Sequence, residues 1–280
     1  MAVSGVRVQD RLLRVVTDRL DPVVDAWVAS VLDRHMRDLR PAEFVRAVRA
    51  LSARYVERRA ELPSRSPIDS AGKRAAFAAF YAPLHFLTVR AVLRQLPEAV
   101  APLDAITDLG CGTGVAGAAW ALALRAHPTL TGIDLHAWSL DEALWNWRTL
   151  GLRGRTRRLS MTQAFDAPVP RHAKERSGTG FLLGWSVNEL TRADRAEMLP
   201  RLLAAHASGS PILVLEPLAK TAVPWWNEWA TAFGSAGGRA DEWRLPIRLP
   251  ERLAAIDKAA GFHRDTVGVR TLFLCRPLQS

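Results

Sequence analysis

The most specific chemical pattern in the chain is the glycine-rich segment DLGCGTG at residues 108–114, followed by an acid at Asp134. The segment directly follows an apolar run at residues 105–109 and directly precedes an alanine-rich helical stretch at 114–126. Its glycines let the backbone turn sharply and approach a ligand that any Cβ would exclude. The helix start adds unpaired N–H groups, and a carboxylate at the next strand end can accept ribose hydroxyls. The pattern therefore predicts a nucleoside site at the carboxyl edge of a sheet.

The spacing of this glycine loop differs from that of a dinucleotide fingerprint. A dinucleotide site would read G-x-G-x-x-G, whereas this loop reads G-x-G-x-G with Asp108 two residues ahead, where a carboxylate can bind a ligand ammonium. DLGCGTG closely resembles motif I of the class I S-adenosylmethionine-dependent methyltransferases, and Asp134 matches their ribose-binding acid. The resemblance covers residues 104–276 and implies S-adenosyl-L-methionine as the cofactor.

The same resemblance implies which residues contact the cofactor. Asp108, Gly110 and Gly112 would line its methionine part, Asp134 its ribose, and the residues after the third strand its adenine. The full expected set is Asp108, Gly110, Cys111, Gly112, Gly114, Asp134, Leu135, Met161, Thr162 and Trp185.

The acceptor is expected beyond the fourth predicted strand, at GWSVNEL (184–190). Methyl transfer from a sulfonium is an in-line displacement, so positioning of the two partners is the main task. A general base is needed only where the acceptor must lose a proton. Asn188 and Glu189 are the available polar groups, and Glu189 is either catalytic or a solvated helix-entry residue. From the N-terminal helices, Tyr81 and His85 are expected to reach the acceptor pocket.

Several chemistries are excluded by residues that the sequence lacks. The two cysteines, Cys111 and Cys275, lie far from the fourth strand, which argues against a cysteine-dependent methylation of pyrimidine carbon 5. Two cysteines also build neither a disulfide framework nor a thiolate metal cluster, and no His/carboxylate cluster indicates a metal. GWSVNEL is not the Asn/Asp-Pro-Pro-aromatic loop that is typical of methylation on exocyclic base amines.

Strand-like and helix-like segments alternate after residue 104. The predicted strands are 105–109, 129–134, 156–160, 181–185, 212–216, 241–247 and 266–276; the predicted helices are 114–126, one capped by Ser139, one starting at Thr191 and one at 250–260. This order predicts an α/β fold with a Rossmann-like, seven-stranded, mostly parallel sheet and helices on both faces. The prolines and glycines of 165–180 argue against a full helix between the third and fourth strands.

The first hundred residues are predicted to form an N-terminal helical appendage. Apolar residues recur at helical spacing from Leu12 through Val16 and Leu20, and Ser70 is expected to cap a further helix. Pro83 is expected to interrupt that helix, because its ring clashes with the preceding turn. The sequence thus predicts two regions, a helical lid or partner-binding region at 1–100 and a cofactor-binding methyltransferase domain at 101–280.

The chain is basic but otherwise ordinary in composition. Its 280 residues are 49% apolar and 24% charged, which is typical of a globular protein, and it carries a net charge of +10. Only four of the 38 basic residues are lysines, and residues 1–100 hold 17 basic against 11 acidic groups. Arginines can grip phosphates, although GC-rich coding explains the same bias. No apolar run approaches the roughly 18 residues needed to cross a bilayer, and the N-terminus lacks a secretory h-region, so we expect a cytoplasmic protein without membrane contact.

Three further segments suggest a narrower resemblance. RAAFAAFYAPLHFLTVRAVL (74–93), SVNEL (186–190) and LEPL (215–218) are similar to methyltransferase-like proteins of the small ribosomal subunit, which often carry a cysteine cluster that this chain lacks. Three functions stay open. They are an RNA methyltransferase, ribosomal RNA first, with RGRTRR (153–158) on phosphates; an N- or O-methyltransferase for a small metabolite; and a non-catalytic ribosome-assembly factor that binds the cofactor.

Overall fold

The computed structural model describes residues 22–57, 70–124, 127–165, 178–219 and 223–275. The apolar repeat at Leu12, Val16 and Leu20 lies outside the described residues. The strands are β1 (Ala105–Leu109), β2 (Thr129–Asp134), β3 (Gly154–Arg158), β4 (Thr179–Gly184), β5 (Ile212–Glu216), β6 (Arg239–Pro246) and β7 (Thr266–Leu274). Three strands have the predicted bounds, and β3, β4 and β6 each begin two residues earlier than predicted.

Helices flank the sheet and precede it. They are α1 (Pro22–Met36), α2 (Pro41–Glu57), α3 (Ala71–Ala76), α4 (Ala82–Leu93), α5 (Val115–Ala123), α6 (Ala137–Thr149), α7 (Arg192–Ala207), α8 (Trp226–Ser235) and α9 (Glu251–Ala259). Short 3-10 turns occupy Thr162–Phe165 after β3 and Val187–Glu189 after β4. No helix therefore directly follows β3 within the described part of that connection.

The strands form one sheet in the order β3-β2-β1-β4-β5-β7-β6. The first five strands pair in parallel, whereas β7 is antiparallel to both β5 and β6. The predicted α/β class, with a Rossmann-like, seven-stranded, mostly parallel sheet, is confirmed. Because parallel strands end at one edge, the carboxyl ends of β1, β2 and β4 bring the glycine loop, Asp134 and Trp185 to the same side of the sheet.

Pro83 was expected to interrupt the helix, but the helix continues through it and only changes its hydrogen-bonding pattern just before the proline. Helical structure runs continuously from Ala71 to Leu93, with a π-helical turn at Phe77–Tyr81 between α3 and α4. In that turn Ala82 donates its N–H to the carbonyl of Phe77, five residues back. The wider turn gives room for the proline ring and absorbs its missing N–H, so the helix continues instead of ending.

The helix predicted to begin at Ser139 starts earlier, at Ala137. Asp134 accepts the N–H of His136 at 2.8 Å, which satisfies a backbone donor at the helix start without a cap from Ser139. Ser139 is buried inside the first turn. By contrast, Ser70 and Thr191 cap α3 and α7 as predicted, through the N–H groups of Lys73 and Asp194.

The N-terminal helices share a buried core with one face of the sheet. Val24, Trp27 and Leu32 of α1 belong to the same cluster as Ile106 of β1 and Leu130 of β2. The helical stretch Ala71–Leu93 is long and apolar enough to cross a membrane, contrary to the expectation from the sequence, and 78% of its most apolar window is buried inside the protein. That burial is what a core helix requires.

Candidate functional site

Three glycines of the loop after β1 have left-handed backbones, with φ of +68° at Gly110, +51° at Gly112 and +72° at Gly114. A Cβ on Gly110 would lie 2.5 Å from the Cβ of Ser186, and one on Gly114 would lie 2.7 Å from Nε1 of Trp147. On Gly112 it would meet only the Phe77 ring, at 3.9 Å. Packing therefore requires the outer glycines, while the middle one leaves a gap between the loop and Phe77.

Asp108 ends in a buried carboxyl group with one free oxygen. Its side chain is 1% exposed, and Oδ2 accepts the N–H of Gly117 at 3.0 Å. Oδ1 has no hydrogen-bond partner among the described residues. Burial, with a smaller contribution from the charge of Asp134, raises the pKa of Asp108 to about 7. A cation beside Oδ1 would stabilise the ionised form.

Asp134 links the loop to the end of β2. Its Oδ2 accepts the N–H of Gly112 at 2.9 Å, and Oδ1 accepts the N–H of His136 at 2.8 Å. Each carboxylate oxygen has two lone pairs, so both can still accept a hydroxyl. The next residue, Leu135, exposes 59% of its surface, and its carbonyl accepts a hydrogen bond from Arg158 at 2.9 Å.

An aromatic cluster from the π-helical turn, α4 and the residue after β4 lies beside the loop. His85 stacks on Trp185 with ring centroids 4.0 Å apart and an interplanar angle of 12°, and Phe77 approaches His85 edge-on at 6.2 Å. Burial lowers the pKa of His85 to about 4, so the imidazole is neutral at physiological pH. Trp185 has a φ of +57°, a conformation that a bulky residue adopts only where its surroundings enforce it. Phe77, His85 and Trp185 are called the aromatic lid below.

The turn that follows β4 is held by Glu216, a fully buried residue at the end of β5. Glu216 accepts the N–H of Val187 at 3.1 Å and the N–H of Asn188 at 3.3 Å. Its other oxygen accepts from the side-chain amide of Asn188, whose own oxygen accepts Nε1 of Trp225 at 3.2 Å. The side chain of Asn188 is thus occupied by hydrogen bonds within the protein, and Glu189 is the side chain of this turn that is open to solvent.

Glu189 differs from Asn188 in having no hydrogen bond or ion pair from the described residues to its carboxyl group. As a whole residue Glu189 is exposed, whereas desolvation by the protein around its carboxyl group, and then the charge of Asp134, raise its pKa to about 7. Both properties fit a group that lines a concave surface, where protein surrounds the carboxyl group but leaves one side open. A carboxyl group with this pKa can take up or release a proton near neutrality.

The remaining predicted residues differ in how close they lie to the glycine loop. The sulfur of Met161 would lie 3.0 Å from a Cβ on Gly110, so Met161 borders the loop. Cys111 belongs to the loop itself, and its thiol is buried. The hydroxyl of Thr162 lies 3.1 Å from that of Ser160. The hydroxyl of Tyr81 is directed toward α2 and not toward the cleft, because it donates to the carbonyl of Val48 at 3.3 Å.

Two residues support the loop without having been singled out from the sequence. Ser186 donates to the carbonyl of Leu109 at 2.8 Å, and Asn146 donates to the carbonyl of Thr113 at 3.0 Å. Asn146 in turn accepts Nε1 of Trp27 at 2.8 Å. Ser186 lies in the segment SVNEL, but Asn146 carries no sequence signal apart from being polar on a largely buried helix. In the described part of the chain, no group of three or more His, Cys, Asp or Glu residues could hold a metal ion.

No protein-family model and no curated protein matches this chain. Among solved structures it is similar to an S-adenosylmethionine-dependent methyltransferase from Aquifex aeolicus, with 12% identity over 69% of this chain and 91% of that one and a TM-score of 0.43. It is also similar to precorrin-6y C5,15-methyltransferase from Geobacter metallireducens, with 12% identity, 66% and 87% coverage and a TM-score of 0.45. A third is an S-adenosylmethionine-dependent O-methyltransferase from Thermotoga maritima, with 17% identity, 68% and 66% coverage and a TM-score of 0.40. These are likenesses of the backbone fold at low sequence identity.

Proposed function

We propose that this chain is an S-adenosylmethionine-dependent methyltransferase that holds the cofactor against residues 108–114 and Asp134. One observation carries the proposal: Asp108 has a buried oxygen without a partner among the described residues, directly beneath the glycine loop. The cofactor has an ammonium group that satisfies such an oxygen and hydroxyls that Asp134 can accept. Gly112, which leaves a gap below Phe77, gives the ligand close access to the backbone.

When bound, S-adenosylmethionine supplies a methyl carbon on a cationic sulfur, whose bond to that sulfur breaks as a bond to the acceptor forms. The chain's own residues bind and orient the partners. Asp108 holds the ammonium group of the methionine part and Asp134 the ribose hydroxyls by charge-assisted hydrogen bonds, and the aromatic lid excludes water from the space beside them. Positioning of this kind is sufficient for an in-line displacement.

Glu189 is proposed as the group that faces the acceptor. With a pKa of about 7 it can accept a proton from an acceptor O–H or N–H. Asn188 acts indirectly. Its side chain is hydrogen-bonded to Glu216 and Trp225, and these bonds fix the turn that carries Glu189.

For the acceptor we favour RNA, with ribosomal RNA as the first candidate. The side chain of Glu189 is exposed, so the cleft is open at that point and a nucleotide within a long chain can reach it. A small metabolite is the second candidate. The aromatic lid favours it, because stacked, uncharged rings are the lining expected for a planar small molecule.

Two measurements test the proposal in sequence. Calorimetric titration of the purified chain with S-adenosylmethionine should show binding, and mass spectrometry of ligands retained through purification should detect the cofactor or its demethylated product. Radiolabelled methyl groups should then pass into purified ribosomal RNA, or else into a small-molecule extract, and Glu189→Gln should reduce that transfer while leaving cofactor affinity unchanged. A folded chain that does not bind the cofactor would overturn the proposal; binding without any transfer would favour an assembly factor.

A further inference from the structure

One edge of the sheet carries four exposed arginines within six residues. β3 is the edge strand beside β2, and Arg153, Arg155, Arg157 and Arg158 are all exposed. None of these four side chains forms an ion pair with an acidic residue in the described part of the chain. Like charges at this spacing repel one another weakly in water, and a bound polyanion would relieve that repulsion.

Three of these arginines share one face of the strand. Side chains alternate along a strand, so Arg155 and Arg157 of β3 point to the same side about 6.6 Å apart. Arg153 directly precedes β3, and its carbonyl accepts the N–H of Leu130 of β2, so it continues the same row. Arg157 is in register with Ile133 of β2, the residue before Asp134. The row therefore runs toward the edge of the sheet at which the proposed cofactor site lies. Arg158 is on the other face and is engaged by the carbonyl of Leu135.

Protection of an unpaired strand edge does not by itself explain a row of one sign. Charged residues do protect edge strands from pairing with other chains. The opposite edge strand, β6, shows how this chain does so with mixed charges: Arg239 pairs with Asp241 at 2.7 Å, and Glu242 pairs with Arg270 at 2.6 Å. β3 has exposed arginines without any acid among them.

We propose that Arg153, Arg155 and Arg157, called the β3 arginine row below, bind the phosphate backbone of a single-stranded RNA. This inference rests on the proposed function with RNA as acceptor and adds where that RNA is held. The planar guanidinium group donates two parallel hydrogen bonds to a phosphate and stays charged at every physiological pH. The β3 arginine row would bind the phosphates of the RNA, while the base to be modified enters the cleft at Glu189.

The test compares two variants of the full chain that alter opposite edges of the same sheet. Arg153→Ala/Arg155→Ala/Arg157→Ala removes the β3 arginine row, and Arg239→Ala/Arg244→Ala removes two exposed arginines of β6 as the matched control. Fluorescence anisotropy of a labelled single-stranded RNA measures the affinity over a range of about 0.05 to 0.2 M salt. Each phosphate contact on a single strand contributes about −0.7 to the slope of log K against log salt. The triple variant should therefore lose about 2 from the magnitude of that slope, and the control should lose much less.

Four results would overturn the inference. The triple variant could bind RNA with the slope of the unaltered chain, the two edges could contribute equally, or the unaltered chain could bind no tighter than ~10⁻⁴ M near physiological salt. Preferential binding of an acidic peptide instead of RNA would also overturn it. Calorimetric titration with S-adenosylmethionine is run on every variant. Unchanged cofactor affinity with lost RNA binding affects this inference alone, whereas absence of cofactor binding in the unaltered chain contradicts the proposed function.

Discussion

At the scale of single residues, Asp108 makes cofactor binding dependent on pH. Its pKa is raised to about 7 by burial, so much of the carboxyl group is protonated below neutrality, whereas a cationic ammonium requires the ionised form. Affinity for S-adenosylmethionine should therefore fall as the pH is lowered from about 7 to about 5, approaching tenfold per pH unit. Calorimetry in buffers of different ionisation enthalpy should detect a proton released on binding.

Asp108→Asn provides the control for this prediction, because it keeps the shape of the side chain and removes its titration. Asp108 also makes the stability of the ligand-free chain depend on pH. Its pKa in the folded state lies above the value of 3.8 of an ordinary aspartate, so at pH values between the two the folded state binds more protons than the unfolded state. The contribution of Asp108 to the free energy of unfolding should thus decrease as the pH rises through that window. An Asp108→Asn chain with the unaltered pH dependence of affinity would refute the assignment.

Gly112 is predicted to serve the ligand and not the packing of the chain. Its φ is +51°, but a Cβ would contact only Phe77 at 3.9 Å, so Gly112→Val should fold with a penalty of about 1–2 kcal/mol for the left-handed backbone. The added side chain occupies the gap next to the loop, so affinity for the cofactor should fall by about tenfold or more. Chemical denaturation and calorimetric titration measure the two effects separately.

Gly151 offers a matched position for comparison. It has a φ of +70°, and no atom lies within 4 Å of the place where its Cβ would be. Gly151→Val should show a similar loss in the free energy of unfolding without any change in cofactor affinity. If both variants bind the cofactor like the unaltered chain, Gly112 does not border the ligand.

At the scale of elements, Glu216 connects the end of β5 to the turn at Val187–Glu189. Glu216→Gln replaces an oxygen that accepts from the side-chain amide of Asn188 by a second donor. A buried donor without an acceptor costs about 1–3 kcal/mol, so we expect a loss of that size in the free energy of unfolding. Hydrogen exchange at the amides of the turn, read by mass spectrometry, should accelerate.

Glu197 on α7 is the control for the change from glutamate to glutamine. It forms an exposed pair with Arg201, four residues further along the helix, at 2.7 Å. Surface pairs at this spacing contribute about 0.3–0.5 kcal/mol, so Glu197→Gln should leave both stability and exchange at the turn nearly unchanged. Equal effects of the two substitutions would mean that Glu216 does not hold the turn.

At the scale of the whole molecule, the N-terminal helices and the sheet should unfold together. Trp27 of α1 is 1% exposed and donates to Asn146, which holds the carbonyl of Thr113 in the glycine loop. Circular dichroism and tryptophan fluorescence should therefore report one coincident transition, and the cofactor should raise its midpoint. Trp27→Phe should lower stability by about 1–3 kcal/mol, because the oxygen of Asn146 loses its donor, and should weaken cofactor binding.

Trp243→Phe is the comparison, since Trp243 also donates a hydrogen bond, to Thr271 at 2.8 Å, but is only partly buried and belongs to the far edge of the sheet. It should cost less stability and leave cofactor affinity unchanged. Separate unfolding of the helices before the sheet, or a Trp27→Phe chain with full cofactor affinity, would contradict the coupling between α1 and the loop.

Several features follow from the sequence because they depend on neighbours along the chain. The apolar runs at residues 105–109 and 212–216 specify buried strands with the bounds observed, and Thr191 followed by Asp194 specifies a helix start. The order of strands and helices then implies a mostly parallel sheet, and this sheet brings DLGCGTG and Asp134 to one edge. These conclusions needed only local backbone preferences and the rules of chain connection.

Other features were decided by contacts between distant residues, which spacing along the chain does not encode. Pro83 was expected to end a helix, but packing of Ala71–Leu93 into the core keeps the helix continuous through a π-helical turn. Tyr81 and His85 look equivalent in sequence; only the packing of the π-helical turn and of α4 directs Tyr81 toward Val48 and stacks His85 on Trp185. The free oxygen of Asp108 and the pKa of Glu189 depend on burial and on charges brought close by folding. The sequence by itself therefore determined the sheet and the residues at its edge, whereas the tertiary structure decided which of them have free polar groups, because solvent exclusion and hydrogen-bond partners exist only once the chain is folded.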